Sequence, residues 1–183
     1  MSKKIILIII VIIILGVANY FICKSITKTS SVIAPVQKVI VDAKNITYTI
    51  EGQEVTLVNG KSEVVATPGS ASKIITQYFG NEVKADFNGD GVNDVVFLLT
   101  QDSGGSGTFY YVAVALSLGN SYKGTNAILL GDRIAPQTIQ FQNGEIIVNY
   151  VDRKPDEPMT AIPSVGVSKY FKVSGGTLVR VQK

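Results

Sequence analysis

The middle of the sequence contains segments that are apolar on both faces of an extended chain. In Thr108–Leu118 both sets of alternate positions are apolar: Tyr110, Val112, Val114, Leu116 and Leu118 on one face, and Phe109, Tyr111, Ala113 and Ala115 on the other. Val95–Leu99 is apolar throughout as well. Successive side chains of a strand point to opposite faces, so both faces must be covered. We therefore predict a mainly β fold, either an antiparallel two-layer sandwich or a partly closed barrel.

Turn signals divide the chain into hairpins. Asn-Gly pairs tolerate the positive φ angles of tight hairpin turns, and a Gly-Gly pair does the same. Three hairpins are predicted: Gln53–Val58 with Lys61–Ala66 across Asn59-Gly60, Thr138–Gln142 with Glu145–Val151 across Asn143-Gly144, and Val165–Val173 with Thr177–Gln182 across Ser174-Gly175-Gly176. Further strands are predicted at Ile46–Glu51, Val95–Thr100, Thr108–Leu118 and Thr125–Leu130.

The segment around Ile74–Phe79 has features of two structures. Its apolar residues have helical spacing, Ser70 could cap a helix, and Gly80 could end it. The β-branched Ile-Ile-Thr run at its start favours a strand instead. We predict a strand here.

An uncharged apolar run occupies Ile5–Ile22, directly after Lys3 and Lys4. About 18 apolar residues approach the length that a helix needs to cross a bilayer. The preceding lysines favour a cytoplasmic amino end, because positive flanks stay inside. We predict an N-terminal transmembrane helix in residues 1–23, which contacts lipid through residues 5–22. A tether would follow in residues 24–44, and an extracytoplasmic β domain in residues 45–183.

Two alternatives remain for the amino-terminal segment. Gly16-Val17-Ala18 could serve as a signal-peptide cleavage site, although the apolar stretch continues beyond it. Cys23 could carry a lipid, but bulky Tyr20, Phe21 and Ile22 precede it where a lipoprotein has small residues. In every case the rest of the chain leaves the cytoplasm. With the retained anchor, which we prefer, a single-pass protein of the cell membrane is predicted.

Net positive charge is confined to the amino-terminal part. The net charge of +3 divides into +5 before residue 45 and −2 after it, where eleven Lys and Arg face thirteen Asp and Glu. The basic flank suits anionic lipid headgroups. The predicted domain has no basic stripe that could follow a phosphate backbone, so we expect no nucleic-acid partner.

The cysteine and histidine counts exclude several kinds of chemistry. A single Cys cannot form an internal disulfide, so the domain must be stabilised by its core, with or without a metal. With no His in the chain, the commonest general base and zinc ligand are absent. The run Asp102-Ser103-Gly104-Gly105 is similar to a serine-protease nucleophile segment, but no imidazole can activate that serine. We predict no catalytic residues and no organic cofactor.

The segment Asp86–Asp94 (DFNGDGVND) carries the strongest chemical signal. Calcium prefers six to eight oxygen ligands, which a sharply turning loop can supply from alternate positions. Gly89 and Gly91 permit such a turn. The predicted ligands are Asp86, Asn88, Asp90, the carbonyl of Val92, and Asp94 directly or through water. An EF-hand would need a Glu where Phe97 stands. The alternative is an ordinary acidic turn, in which three Asp would repel one another.

This Asp-x-Asn-x-Asp-Gly-x-x-Asp run resembles the calcium loop of FG-GAP and VCBS-type β modules, which leads directly into a buried strand. The resemblance covers roughly residues 84–100 and implies a structural rather than a catalytic calcium. Such modules usually occur in tandem, whereas one copy is present here. Other segments resemble an uncharacterised domain of bacterial envelope proteins and lipoproteins, which implies export: Gln53–Gly60, Phe79–Thr100, Gly104–Tyr111, Gly124–Gln137 and Pro158–Tyr170.

Two functional hypotheses follow. The first is a membrane-anchored binding or interaction module of the bacterial cell envelope, whose partner is an envelope protein or glycan. The second is an extracytoplasmic hydrolase that acts on envelope glycan or peptide through carboxylates. The hydrolase requires a concave site with two carboxylates that no metal occupies, and the sequence suggests no such pair outside the Asp86–Asp94 loop. The first hypothesis is therefore preferred.

Overall fold

Twelve strands form the regular structure of the computed structural model, which describes residues 42–183. In chain order they are β1 (Thr47–Ile50), β2 (Gln53–Thr56), β3 (Lys61–Val65), β4 (Lys73–Ala85), β5 (Asp94–Asp102), β6 (Phe109–Ser117), β7 (Tyr122–Gly124), β8 (Asn126–Asp132), β9 (Ala135–Gln142), β10 (Glu145–Asp152), β11 (Val165–Ser174) and β12 (Thr177–Val181). Over this range we find no helix with the length and hydropathy to cross a membrane. The predicted helix in residues 1–23, and the tether up to residue 41, lie outside the described residues.

Two of the three predicted hairpins are confirmed, β9–β10 and β11–β12. The third prediction is wrong beyond its turn at Asn59-Gly60, because β2 pairs with β1 and β3 with β4, so that the two strands diverge after the Val58–Lys61 bridge. Asn59 and Asn143 adopt φ angles of 52°, in the left-handed region that an Asn-Gly turn requires. The uncertain segment after Ser70 is a strand, as predicted, and β4 extends well past Gly80. The short β7 was not predicted.

Eight strands form one nearly closed, barrel-like sheet. Its order is β2-β1-β8-β6-β5-β4-β3, with β7 paired to β6. The prediction of a purely antiparallel arrangement is wrong at one place, because β1 pairs with β8 in parallel. The chain leaves β2 for five other strands before β8 lies beside β1, and such a distant pairing has no signature in local sequence.

The barrel-like sheet ends at β2 and β3, and we call the gap between these two strands the seam. Val58 and Lys61 form a single bridge where the hairpin turns. Beyond that bridge, β2 is hydrogen-bonded only to β1, and β3 only to β4, among the described residues. The seam is therefore an opening in the wall of the barrel.

The remaining four strands form a second, antiparallel sheet in the order β12-β11-β10-β9. Two apolar clusters result. The inter-sheet core joins residues of β5, β6 and β8 to residues of the second sheet, including Val96, Val112, Ile146 and Phe171. The barrel core contains only residues from the large sheet and its connections, including Tyr48, Phe97 and Tyr111. The fold therefore combines the two predicted alternatives, a two-layer arrangement and a partly closed barrel.

The central strands are covered on both faces, as predicted. Along β6, Val112, Val114 and Leu116 enter the inter-sheet core, whereas Tyr111 and its alternate neighbours enter the barrel core. The prediction for Leu118 is wrong, because β6 ends at Ser117 and the Leu118 side chain is 64% exposed. The amide of Leu118 instead donates to the carbonyl of Ser121, which turns the chain towards β7.

Candidate functional site

The loop Asp86–Asn93 connects β4 to β5 at one end of the large sheet. Gly89 and Gly91 have φ angles of 84° and 85°, a region that L side chains rarely adopt. Phe87 alone in this loop points inward, and it joins the inter-sheet core. Its ring meets that of Phe141 edge to face, with centroids 4.9 Å apart. The loop is thus fastened to the second sheet at its beginning.

Asp86 organises the first half of the loop. One carboxylate oxygen, Oδ1, accepts the amides of Gly89 and Asp90 at 2.7 and 3.1 Å. The other, Oδ2, accepts the amide of Gly91 at 2.9 Å. These backbone hydrogen bonds, the one from Gly91 above all, hold the pKa of Asp86 below its ordinary value. Asp86 is therefore an anion around which the backbone wraps.

Asn88 and Asp90 close two further turns. The Asn88 side-chain oxygen accepts the amide of Asp90 at 2.9 Å, and the Asp90 Oδ1 accepts the amide of Val92 at 2.8 Å. The Asn88 amide group also donates to Asp90 Oδ2 at 2.8 Å. Both side chains are exposed. The structure therefore brings Asp86, Asn88 and Asp90 together on one loop, with the exposed Val92 held beside them.

Asp94 occupies a different environment, because its side chain is 0% exposed. Its Oδ2 accepts the amide of Phe87 at 3.1 Å, and its Oδ1 accepts the amide of Ser117 at 2.8 Å. Burial raises the pKa of Asp94, and the negative charges of Asp90 and Asp86 act in the same direction. Asp94 thus ties the start of the loop and the end of β6 to the start of β5.

The oxygen atoms of this loop suit a hard cation. A carboxylate has about four lone-pair sites that can accept hydrogen bonds or bind a metal. Asp86 accepts three amides and Asp90 accepts two donors, so each carboxylate keeps at least one site for a metal. The Asn88 carbonyl is of the same ligand class. Within residues 42–183, however, no three Asp, Glu, Cys or His side chains converge as a metal cluster. A bound cation would therefore draw on amide and backbone oxygens as well as carboxylates.

Two features of the site escaped sequence reasoning. Ser117 supplies an amide to Asp94 from 23 residues away, and such a contact has no local pattern. Phe87 lies between Asp86 and Asn88, at a position where the calcium-loop motif allows any residue. Its apolar side chain was the available signal, because an aromatic residue in an acidic turn needs a core to enter.

Comparison with known proteins gives no further guidance, since no protein-family model, curated protein or solved structure matches the chain.

Proposed function

We propose that this protein is a membrane-anchored binding or interaction module of a bacterial cell envelope, whose extracytoplasmic β domain is stabilised by calcium at the Asp86–Asp94 loop. The observation that carries the proposal is the loop itself. Asp86, Asn88 and Asp90 present oxygens on an exposed turn, while Phe87 and Asp94 fasten that turn to the core. The similarity to FG-GAP and VCBS-type loops supports the same ion.

The stabilising role follows from what the loop connects. The Asp94 carboxylate accepts two backbone amides, that of Phe87 in the loop and that of Ser117 at the end of β6. A divalent cation at Asp86 and Asp90 would offset the repulsion that these carboxylates exert on Asp94. Calcium binding would thereby stabilise the junction of three chain segments without taking part in a reaction.

The membrane part of the proposal is supported by the apolar run Ile5–Ile22 and its lysine flank. Its test is the amino-terminal sequence of protein recovered from membranes. A retained anchor gives a chain that starts at or near Met1. A chain that starts at Asn19 instead would show cleavage after Ala18 and contradict the anchor.

The calcium part is tested by titration calorimetry on metal-free protein. We expect one calcium to bind per chain, and Asp90→Ala to abolish that binding because it removes a ligand without disturbing a buried group. Asp156→Ala, a change in a distant acidic loop residue, serves as the matched control and should bind like the wild type. Undisturbed binding by Asp90→Ala would contradict the assignment of the loop.

A hydrolase is the second candidate, because Glu51 and Glu54 both line the cleft at the seam. The Glu51 carboxylate accepts the hydroxyl of Tyr111 at 3.0 Å, on the barrel side of the sheet. Glu54 lies opposite Thr49, and both side chains are exposed on the outer face. Two carboxylates on different faces do not flank one scissile bond, so the binding module is preferred. Unchanged peptide and glycan binding in Glu51→Gln, together with lost hydrolysis, would favour the enzyme.

A further inference from the structure

The seam leaves hydrogen-bonding groups of two strands without partners among the described residues. In the β1–β2 hairpin the Leu57 amide donates to the Ile46 carbonyl, so alternation of the ladder directs the backbone groups of Glu54 and Thr56 away from β1. Across the seam the Ala66 amide donates to the Ser72 carbonyl. The same alternation then directs the backbone groups of Glu63 and Val65 away from β4, into the gap.

The barrel interior is exposed at this gap. Val64 and Ser62 lie on the same face of β3. Their partners on β4 are Ile74 and Thr76, and Thr76 is buried. This is the inward face, yet the Val64 side chain is 51% exposed. Val55 on β2 is likewise inward and only partly buried against the barrel core. An apolar side chain that faces a core but remains exposed indicates a missing covering element.

The cleft has the size and lining of a binding site. It encloses about 500 Å³ and is lined on the apolar side by Val55, Val64 and Ile74. This volume lies within the range of about 300–1,000 Å³ that is typical of ligand sites. Its polar lining includes Gln101, whose side chain donates to the Thr76 hydroxyl at 3.1 Å. The lining is therefore mixed, as an amphipathic ligand requires.

The charge at the cleft is negative. Glu51 and Glu54 belong to the lining, and neither forms an ion pair within the described residues. Glu63, on the opposite strand, is by contrast paired with Lys61 and Lys73. A partner that carries a cation would find Glu54 on the outer face of β2 and Glu51 in the turn that precedes β2.

We infer that the seam binds an extended peptide segment of a partner protein as an added β-strand, with apolar side chains at alternate positions and a Lys or Arg that faces Glu54. Backbone bonds to Glu63 and Val65, or to Glu54 and Thr56, supply the main-chain contacts of strand addition. The apolar positions cover Val64 and Val55 on the inward face, and the basic position meets Glu54 on the outer face. This inference rests on the proposed function as a binding module and names its surface and partner class.

The test uses the full-length chain in detergent and a synthetic peptide of about eight residues in which valine alternates with lysine and threonine. Amide chemical shifts follow the titration. We expect shifts along β2 and β3, and roughly tenfold weaker binding by Val64→Lys, which places a like charge in the path of the peptide. Val65→Pro should weaken binding to a similar degree, because it removes an amide that faces the gap but no bond to β4.

A matched proline control exists at the edge of the second sheet. The Leu178 amide donates to the Asn126 side chain. The backbone N–H and C=O groups of the even-numbered residues of β12 therefore point away from β11. Arg180→Pro therefore removes an outward amide from a different edge, and peptide binding should be unchanged. The inference is overturned if the wild type does not bind millimolar peptide, or if Val64→Lys and Val65→Pro both bind as the wild type does.

The failure of this inference can be distinguished from the failure of the proposed function. Calcium binding, measured on the same samples, depends on the Asp86–Asp94 loop and on no residue of the seam. Persistent calcium binding without peptide binding overturns the seam alone. Peptide binding that persists without any calcium binding supports the seam and contradicts the calcium loop.

Discussion

Asp94 is the residue on which the local structure around the loop depends most. It is the only buried carboxylate within residues 42–183, and each of its oxygens accepts one backbone amide from a different part of the chain. A buried charge is tolerated only when hydrogen bonds satisfy it. Asp94 therefore has a structural role whether or not it also contacts a cation.

Replacing Asp94 should destabilise the protein with and without calcium. Asp94→Ala leaves the amides of Phe87 and Ser117 buried without acceptors, which should lower the free energy of unfolding by about 2–5 kcal/mol. Urea unfolding of the metal-free protein measures this loss.

Asp90→Ala provides the matched comparison, because Asp90 is exposed and its replacement leaves no buried donor without an acceptor. In metal-free protein this variant should unfold within about 1 kcal/mol of the wild type. A large effect of Asp90→Ala in the absence of calcium, or a negligible effect of Asp94→Ala, would contradict the division of roles between the two residues.

At the residue scale, the sequence predicted which side chains of the loop provide oxygen atoms, but not which of them are buried. The spacing of Asp86, Asn88 and Asp90 predicted a turn with converging oxygens, because these bonds span no more than five residues. The same spacing treated Asp94 as one more ligand. Its burial depends on the position of Ser117, which only the packing of β5 against β6 determines.

At the scale of elements, β5 contributes to both cores, as β6 does. Phe97 points into the barrel core, where its ring stacks on Tyr78 at 4.6 Å and meets Tyr48 edge to face at 5.4 Å. Its neighbours Val96 and Leu98 point into the inter-sheet core. A change in β5 therefore affects both layers of the molecule.

Truncating Phe97 should be among the most destabilising single changes. Phe97→Ala removes a fully buried ring and leaves a cavity in the barrel, which should lower the free energy of unfolding by about 3–5 kcal/mol. Leu118→Ala is the control, since that side chain is largely exposed and its loss should change stability by less than about 0.5 kcal/mol. Denaturant unfolding of both variants checks the contrast, and equal losses would contradict the assigned core.

A charge cluster joins the second sheet at β10, β11 and the carboxyl end. Glu145 lies 2.7 Å from the Lys183 ammonium and 3.7 Å from that of Lys172. The hydrogen bond from Lys183 is the main reason why the pKa of Glu145 lies below its ordinary value of 4.5. A lowered pKa means that this stabilisation is fully present above pH 4.5 and is lost as the pH falls through the folded-state pKa.

Glu145→Gln should therefore remove part of the acid sensitivity of the protein. The variant should lose stability at neutral pH and converge with the wild type only below the folded-state pKa of Glu145, where the wild-type carboxyl is protonated. Thermal melting as a function of pH measures this convergence. A stability difference that is the same at neutral and acidic pH would contradict the ion-pair explanation.

Local signals predicted most elements, and the exceptions have a common cause. Asn59-Gly60 and Asn143-Gly144 identified tight turns because their positive φ angles are a local requirement, but only the second turn joins two paired strands. The three-residue β7 was not predicted, because Gly124 is required by a residue far away in the sequence. A Cβ at position 124 would come within 2.1 Å of the Thr47 carbonyl oxygen. That contact exists only once β1 has reached β8, so the sequence alone could not reveal it.

At the scale of the whole molecule, a second sheet packs against the central strands of a nearly closed sheet. The apolar alternation of β6 predicted that both of its faces are covered, and left open whether a sandwich or a barrel covers them. The structure uses both, and the seam between β2 and β3 is the place where closure is incomplete. In our account, calcium stabilises this scaffold from the loop before β5, while the seam receives a partner.

The most direct test of the central claim is thermal melting of a fragment that comprises residues 42–183, the part of the chain that the structure describes. The melting temperature is measured in excess calcium and in excess chelator. Calcium at about 100 times its dissociation constant should stabilise the fold by about 2.7 kcal/mol and raise the melting temperature by about 5–10 °C. Asp90→Ala should melt at one temperature under both conditions. A wild-type melting temperature that does not respond to calcium, or a response that Asp90→Ala retains in full, would contradict the account.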